Sequence, residues 1–420
     1  MPRFIHAADL HLDSPLRGLD GYEGAPVEEI RGATRKALAN LVDLAIAQSV
    51  DFLLIAGDIY DGDWRDYNTG LFFLAQMSRL REPGVRVFFI RGNHDASSQI
   101  TRQLNLPDHV REFSTRKPET ITLADLGVAI HGQGFVNRAV DEDLSQEYPA
   151  PVPGMLNIGM LHTSATGREG HDNYAPCTVE GLRAKGYDYW ALGHVHTREV
   201  LSEDPWIVFP GNTQGRHIRE TGPKGCTLVT VEDGRVDDVI HMNLDVMRWE
   251  RCDVDASEAR SATDVLGRTS AAIQYVVDAA DGLHVAVRVT ITGASDAHQE
   301  LAADPERWTP EIRAQATDLS NGSVWIEKVR VRTESKVDLT QIRQQEGPLS
   351  GLMETLDDEG GEAMDDELIA GLQELRNAIP REALETQDGL DVDDPSTQRD
   401  VMTDVKQILL AKLTRRGTGA

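Results

Sequence analysis

Short apolar segments alternate with amphipathic helical stretches along the first part of the chain. The segments RFIHAAD, DFLLIAGD and VRVFFIRGNHD have the length and composition of buried β-strands. Between them, ATRKALANLVDLAIAQSV and NTGLFFLAQMSRLREPG carry apolar residues at helical spacing, and a Pro-Gly pair ends the second helix. This alternation of strands and helices predicts a layered α/β domain.

The same pattern continues in GVAIHGQGF, LNIGMLHTS and TVEGLRAKGYDYWALGHVH. Thr178 is the predicted N-cap of the helix in the last of these segments, because a threonine hydroxyl accepts a hydrogen bond from an early helical N–H. We therefore expect the α/β domain to extend over residues 1–245.

Two further regions follow the α/β domain. Residues 246–335 contain alternating segments such as HVAVRVTITG together with helical stretches, which predicts a small α+β domain. Residues 336–420 begin with an acidic, glycine-containing linker and continue into two amphipathic helices. These helices fit two interpretations: packing on the protein's own surface, or docking on a partner helix or coiled coil.

The polar residues at the ends of the predicted strands are of types that bind metals. Seven of them recur at five strand ends: Asp9, His11, Asp58, Asn93, His162, His194 and His196. Sites in α/β proteins gather at the carboxyl ends of strands, so we expect these side chains to converge. Carboxylate, imidazole and amide oxygen suit Mn²⁺, Fe²⁺ or Zn²⁺. Because these ligands exceed the needs of one tetrahedral ion, the pattern predicts two divalent cations.

Charge and cysteine content narrow the function classes. The net charge of −27 disfavours non-specific attraction to DNA. The charge is uneven, because residues 337–420 alone carry −11, and it is therefore compatible with a local basic groove. No apolar run approaches the roughly 20 residues that span a bilayer, and the N-terminus lacks the pattern of a secretory signal. The three cysteines show no C-x-x-C spacing. We expect a cytoplasmic protein with reduced thiols and no membrane association.

The segments DLHLD, GDIYD, GNHD, a later histidine and GHVH resemble, in this order, the metallophosphoesterase superfamily. The resemblance implies a two-sheet sandwich flanked by helices. It also implies how the ligands divide between two metals, with Asp58 shared by both. One metal takes Asp9, His11, Asp58 and His196, and the other takes Asp58, Asn93, His162 and His194.

His94 has no place among these ligands, and the resemblance gives it a catalytic role. A metal-activated hydroxide would attack the phosphorus while His94 assists the leaving oxygen. Asp61 would orient His94 as the acid of an Asp–His pair. Asp13 and Asp95 fit a capping or supporting role as well as a direct one.

Further segments, among them RGNHDASS and FPGNTQGRHIRETGPKGC, look like the bacterial YhaO-type DNA repair exonucleases, which are relatives of the nuclease SbcD. The resemblance covers about residues 1–335. It implies that the α+β domain caps the active site and helps to place DNA. It also implies that an SMC-like ATPase of the SbcC or YhaN type attaches through the C-terminal helices; a homodimer is left open.

A basic cluster occurs in the GNTQGRHIRETGPKG segment of this acidic protein. It comprises Arg216, His217, Arg219 and Lys224. We interpret Arg216, His217 and Arg219 as candidate phosphate contacts, with a glycine-rich turn that closes the domain as the alternative.

Three functions are compatible with these patterns. The first is a metal-dependent DNA exonuclease. The second keeps the metals and hydrolyses small molecules, as a phosphatase or a cyclic phosphodiesterase. The third is a scaffold that recruits an SMC-like ATPase and has lost its chemistry, which the complete ligand set disfavours.

Overall fold

The computed structural model describes residues 1–14, 27–61, 67–97, 105–165 and 174–336. The described residues fall into two compact units, one that ends at Trp249 and one that begins at Glu250. Within these ranges, no helix combines the length and the apolar character needed to cross a membrane. The predicted C-terminal helices lie outside the described residues.

The elements follow the alternation of the sequence. The described strands are β1 Arg3–Ala7, β2 Phe52–Ala56, β3 Arg86–Ile90, β4 Val110–Glu112, β5 Glu119–Leu123, β6 Val128–Gly132, β7 Leu156–His162, β8 Tyr189–Gly193, β9 Glu199–Glu203, β10 Trp206–Phe209, β11 Gly225–Glu232, β12 Arg235–Asn243, β13 Met247–Asp255, β14 His284–Ser295 and β15 Val324–Ser335. The described α-helices are α1 Val27–Ala47, α2 Tyr67–Arg79, α3 Asn93–Ser97, α4 Val179–Ala184, α5 Ala262–Ala279, α6 His298–Ala303 and α7 Pro305–Ser320.

The first unit is a sandwich of two mixed sheets with helices on the outer sides. The strand orders are β12-β11-β1-β2-β3-β4 and β5-β6-β7-β8-β10-β9. Alternate side chains of β2 serve different layers: Phe52 and Leu54 pack in the core between the sheets, whereas Leu53 and Ile55 pack with residues of α1 and α2. Full burial of each such side chain stabilises the fold by roughly 1.5–3 kcal/mol. The predicted α/β fold, a sandwich flanked by helices, is confirmed.

The strand directions bring the polar strand ends together. β1, β2 and β3 are mutually parallel neighbours, and β7 is parallel to β8 in the other sheet. The loops after parallel neighbours leave a sheet at the same edge. All seven predicted metal ligands lie at or just after the ends of these five strands.

The second unit is a three-stranded sheet, β13-β14-β15, with helices packed against it. Along β14, Val287, Val289 and Ile291 alternate into the core, where they belong to the same cluster as Trp308 and Ile312 of α7. This is the small α+β arrangement expected from the alternating segments of that region.

Candidate metal centre

The backbone takes left-handed conformations at four of the predicted ligands. The φ angle is 53° at Asp9, 43° at His11, 53° at Asp58 and 103° at His194. Non-glycine residues rarely adopt positive φ, which costs of order 1–3 kcal/mol each, and such residues cluster at functional sites. The fold therefore holds these four side chains in place at the expense of backbone energy.

Glycines next to the ligands let the loops approach one another. A Cβ on Gly193 would overlap the carbonyl oxygen of Ala56, and a Cβ on Gly92 would overlap the Asp58 carboxylate. Any side chain at these two positions would push the loops apart. The glycines of the GN and GH segments are thus required by the closeness of the ligand loops.

Asp9, His11 and His196 form the first ligand group, because one ligand atom from each lies within 4.8 Å of the others. Nε2 of His11 and Nε2 of His196 are 3.1 Å apart. The Asp9 carboxylate also accepts the backbone N–H of His194, at 3.0 and 3.1 Å to its two oxygens. Burial raises the pKa of Asp9 to about 6, against the opposing charges of His196 and His162.

Asp58, His162 and His194 form the second ligand group by the same distance criterion. His162 Nδ1 donates to the carbonyl oxygen of Ala56 at 2.9 Å, so Nε2 points into the site, 3.0 Å from Asn93 Oδ1. Burial alone would lower the pKa of His162, but the carboxylates of Asp58 and Asp9 raise it to about 9. The two carboxylates thus favour a positive charge at Nε2 of His162, which a bound cation would supply in place of a proton.

Asp58 joins the two ligand groups. Its Oδ2 lies 3.9 Å from His11 Nε2 and 3.4 Å from His162 Nε2. Its Oδ1 accepts the backbone N–H of His94 at 3.0 Å. Burial would raise the pKa of Asp58, yet the histidines His162, His11 and His94 hold it well below the usual range. The carboxylate is therefore ionised between two sets of imidazole nitrogens.

His94 and Asp61 form a close pair at the edge of this cluster. Nδ1 of His94 lies 2.8 Å from Asp61 Oδ1, and the His94 side chain is partly exposed. Burial opposes the charged ring, but Asp61 and Asp58 outweigh it and raise the pKa of His94 above its ordinary value. His94 also lies within ligand distance of His11 and Asp58, so geometry alone permits a ligand role as well.

The two further aspartates support the loops. Asp95 accepts hydrogen bonds from the backbone N–H groups of Ile59, Tyr60 and Gly92. It thereby ties the loop after β2 to the loop after β3. Asp13 binds Arg35 and Thr69 and lies outside the ligand groups.

The basic cluster divides into an inner and an outer part. Arg216 is largely buried, with Nη2 2.8 Å from Glu220 Oε1 and Nη1 3.6 Å from Asp61 Oδ2. Arg219 is exposed, and His217 is partly exposed. Lys224 is buried and donates to the backbone carbonyl of His196 at 3.0 Å, which gives it a structural contact.

Comparison with known proteins identifies the family. Residues 2–198 match the family model of calcineurin-like phosphoesterases, and residues 249–334 match the model of the middle domain of metallophosphoesterase YhaO. The chain is 35% identical over 379 residues to the uncharacterized metallophosphoesterase YhaO of Bacillus subtilis (strain 168), covering 84% of this chain and 86% of that protein. The chain belongs to the YhaO-type metallophosphoesterases.

More distant similarity connects this YhaO-type chain to proteins named DNA double-strand break repair protein Mre11. The protein of that name from Methanopyrus kandleri is 24% identical over 375 residues, covering 81% of this chain and 75% of its own length. The one from Sulfurisphaera tokodaii is 25% identical over 260 residues, covering 59% of this chain and 64% of its own length.

Membership of the YhaO-type metallophosphoesterases makes the chain a metal-dependent phosphoester hydrolase whose family uses two divalent cations. The donor set fits such ions. Nδ1 of His162 faces a carbonyl oxygen and Nδ1 of His196 faces a carboxylate, so the Nε2 lone pairs of both rings are directed into the cluster. The ionised Asp58 and the Asn93 amide oxygen complete a set of nitrogen and oxygen donors without sulfur.

Sequence reasoning about this YhaO-type site missed Glu220. Glu220 lies in the same segment as the basic cluster, and its carboxylate accepts from His196 Nδ1 at 2.7 Å. Burial would raise the pKa of Glu220, but Arg216 and His196 hold it well below the usual range. No local pattern marks a carboxylate 24 residues from its histidine; only the fold brings them together.

Proposed function

We propose that this YhaO-type metallophosphoesterase is a two-metal DNA repair exonuclease that hydrolyses phosphodiester bonds. The observation that carries the proposal is the Asp58 carboxylate between His11 and His162, with the His94–Asp61 pair beside it. A carboxylate shared by two ligand groups suits a pair of cations that hold one phosphodiester. DNA as the substrate is supported by the similarity to proteins named for DNA double-strand break repair.

The chain's own residues would position the reaction and move one proton. Two bound cations would supply a water of lowered pKa and neutralise the charge of the phosphodiester. Asp61 holds Nδ1 of His94, so Nε2 is the ring nitrogen that gives its proton to the leaving oxygen as the P–O bond breaks. Asp61 and Asp58 raise the pKa of His94 against the effect of burial, which favours the protonated ring that such a donor needs.

The proposed cations are Mn²⁺, with Fe²⁺ or Zn²⁺ as alternatives. Carboxylate and amide oxygens favour Mn²⁺, whereas imidazoles favour Fe²⁺ and Zn²⁺. Activity measured after removal of metals and re-addition of each ion separately ranks them.

The test of the function compares substrates at one site. Purified protein with Mn²⁺ is assayed on labelled duplex DNA, on single-stranded DNA and on bis(4-nitrophenyl) phosphate, beside Asp58→Ala and His94→Gln. DNA degradation that both substitutions abolish is the expected result. Hydrolysis of the small ester without any DNA cleavage would refute the nuclease.

The second candidate function is a small-molecule phosphatase or cyclic phosphodiesterase. The net charge of −27 favours it, because a strongly acidic protein repels DNA at long range. In this case the same assay gives ester hydrolysis alone.

We also propose that residues 336–420 attach the nuclease to an SMC-like ATPase. The support is the three-and-four spacing of apolar residues in this segment, such as Leu368, Leu372 and Leu375. Co-purification from the native organism, with a chain ending at residue 335 as the control, tests the partner. A protein that binds the ATPase but no divalent ion would instead support a scaffold role.

A further inference from the structure

Every oxygen of the Glu220 carboxylate is engaged inside the protein. Oε1 accepts from His196 Nδ1 at 2.7 Å and from Arg216 Nη2 at 2.8 Å. Oε2 accepts from the Asn212 side-chain amide at 2.9 Å and from the backbone N–H of Arg216 at 2.8 Å. The side chain is only 5% exposed. A buried carboxylate with this many donors is fixed in one orientation.

Arg216 connects the Glu220 carboxylate to Asp61, the carboxylate that contacts His94. Its guanidinium is 12% exposed and lies with Nη2 against Glu220 and with Nη1 3.6 Å from Asp61 Oδ2. Asp61 in turn holds His94. One planar cation therefore lies between the carboxylate that contacts His196 and the carboxylate that contacts His94.

We propose that Glu220 and Arg216 are positioning residues of the metal centre, and that they act through His196 on the first ligand group alone. Glu220 fixes the His196 tautomer, with hydrogen on Nδ1 and the Nε2 lone pair toward His11. Arg216 Nη2 lies 3.1 Å from the same Nδ1, but it donates to Glu220 Oε1 at 2.8 Å, and Nδ1 is closer to that oxygen, at 2.7 Å. Arg216 holds Glu220 and Asp61 in fixed relation. The inference rests on the proposed two-metal site and assigns two residues to its support.

The two ligand groups differ in the hydrogen-bond partner of one histidine Nδ1. In the second group, His162 donates Nδ1–H to the neutral carbonyl of Ala56. In the first group, His196 faces an ionised carboxylate instead. A carboxylate partner increases the basicity of a ligating imidazole more than a carbonyl does, and loss of such a partner typically costs 10–100-fold in metal affinity. Removing the Glu220 charge should therefore weaken one metal site and spare the other.

The experiment measures metal binding, which does not depend on the substrate. Mn²⁺ is titrated into the metal-free full chain by calorimetry, with electron paramagnetic resonance to count bound ions. In Glu220→Gln we expect one dissociation constant to rise about 10-fold or more while the other stays within about twofold. Arg216→Gln should weaken the same site, and the double variant should weaken it by less than the product of the two single effects.

The chain offers a matched control. Glu327 pairs with Arg288 in the second unit at the same exposures, 5% and 12%, as Glu220 and Arg216. Glu327→Gln also removes a buried charge beside an arginine, and it should leave both Mn²⁺ dissociation constants unchanged. If Glu220→Gln fails to fold, Glu220→Asp replaces it, because it keeps the buried charge. Its carboxylate is one methylene farther from His196, so the affinity for Mn²⁺ should again fall at one site only.

Equal weakening of both sites, or of neither, in the folded Glu220 variants overturns the inference. A native chain that binds two ions but cleaves no DNA would refute the nuclease proposal and leave the roles of Glu220 and Arg216 unaffected. A native chain that binds no divalent ion removes the basis of both.

Discussion

The carboxylate of Asp58 accepts the backbone N–H of His94 at 3.0 Å. The residue between the two ligand groups and the proposed proton donor are thereby joined through the main chain rather than through the imidazole. The His94 side chain is consequently replaceable without breaking this contact, and the roles of the two residues can be separated by mutation.

His94→Gln should leave the metal content near that of the native protein and lower kcat by about 100-fold or more, because it removes a proton donor and keeps the backbone contact. Elemental analysis and steady-state kinetics on the same preparation check both parts. Since His94 lies within ligand distance of His11 and Asp58, loss of metal in this variant would instead assign it as a ligand.

Asp58→Ala should weaken both metal sites together. Its Oδ2 lies near imidazole nitrogens of both groups, so we expect each dissociation constant to rise by at least about 10-fold. Metal titration of the variant is the measurement. Asp125→Ala, which removes an exposed carboxylate paired with Arg86, is the control, and two ions still held tightly in Asp58→Ala would exclude a bridging role.

Gly193→Ala should destabilise the first unit and reduce metal content. The added Cβ would overlap the carbonyl oxygen of Ala56, and overpacking of this kind costs about 1–3 kcal/mol. Urea denaturation provides the free energy of unfolding. Gly267→Ala is the matched control, because a Cβ there meets no atom within 4 Å and Gly267 lies inside α5. That substitution should stabilise by about 0.5–1 kcal/mol, and equal effects of the two would contradict the steric explanation.

His6 should make stability depend on pH. Burial lowers the pKa of His6 to about 3, from the value near 6.5 of a free histidine. The folded chain therefore keeps the ring neutral at a pH where the unfolded chain protonates it. Stability is therefore fully present above about pH 6.5 and is lost toward pH 3, at about 1.4 kcal/mol per pH unit.

Urea unfolding of the metal-free chain at several pH values between 5 and 8 measures this slope without the metal linkage. In His6→Gln the contribution should disappear, although the variant is less stable throughout because the contacts of His6 with Tyr189 and Leu192 are lost. An unchanged slope in His6→Gln would assign the pH dependence to other groups.

The sequence predicts the elements that local chemistry determines. The hydroxyl of Thr178 accepts from the backbone N–H of Gly181, as expected of an N-cap. The strands that end in the predicted metal ligands appear as β1, β2, β3, β7 and β8. The N-cap and each of these strands depend on a few consecutive residues, so they can be predicted from a single sequence.

Long-range pairing is what the sequence does not reveal. β11 lies antiparallel beside β1, with Phe4 opposite Val229, and it extends the first sheet on that side. Glu220 reaches His196 only because of the same return of the chain. The individual assignment of each ligand to one metal remains a prediction. The substrate contacts of Arg216, His217 and Arg219 also remain predictions.

His162 belongs to the second sheet, and Ala56, whose carbonyl it binds, belongs to the first. The nitrogen that faces away from the ligand cluster thus fastens the two halves of the sandwich at their common edge. Cations that hold the opposite nitrogen would restrain the same ring from its other side. Binding of divalent cations should therefore raise the melting temperature of the sandwich, even without any nucleic acid present.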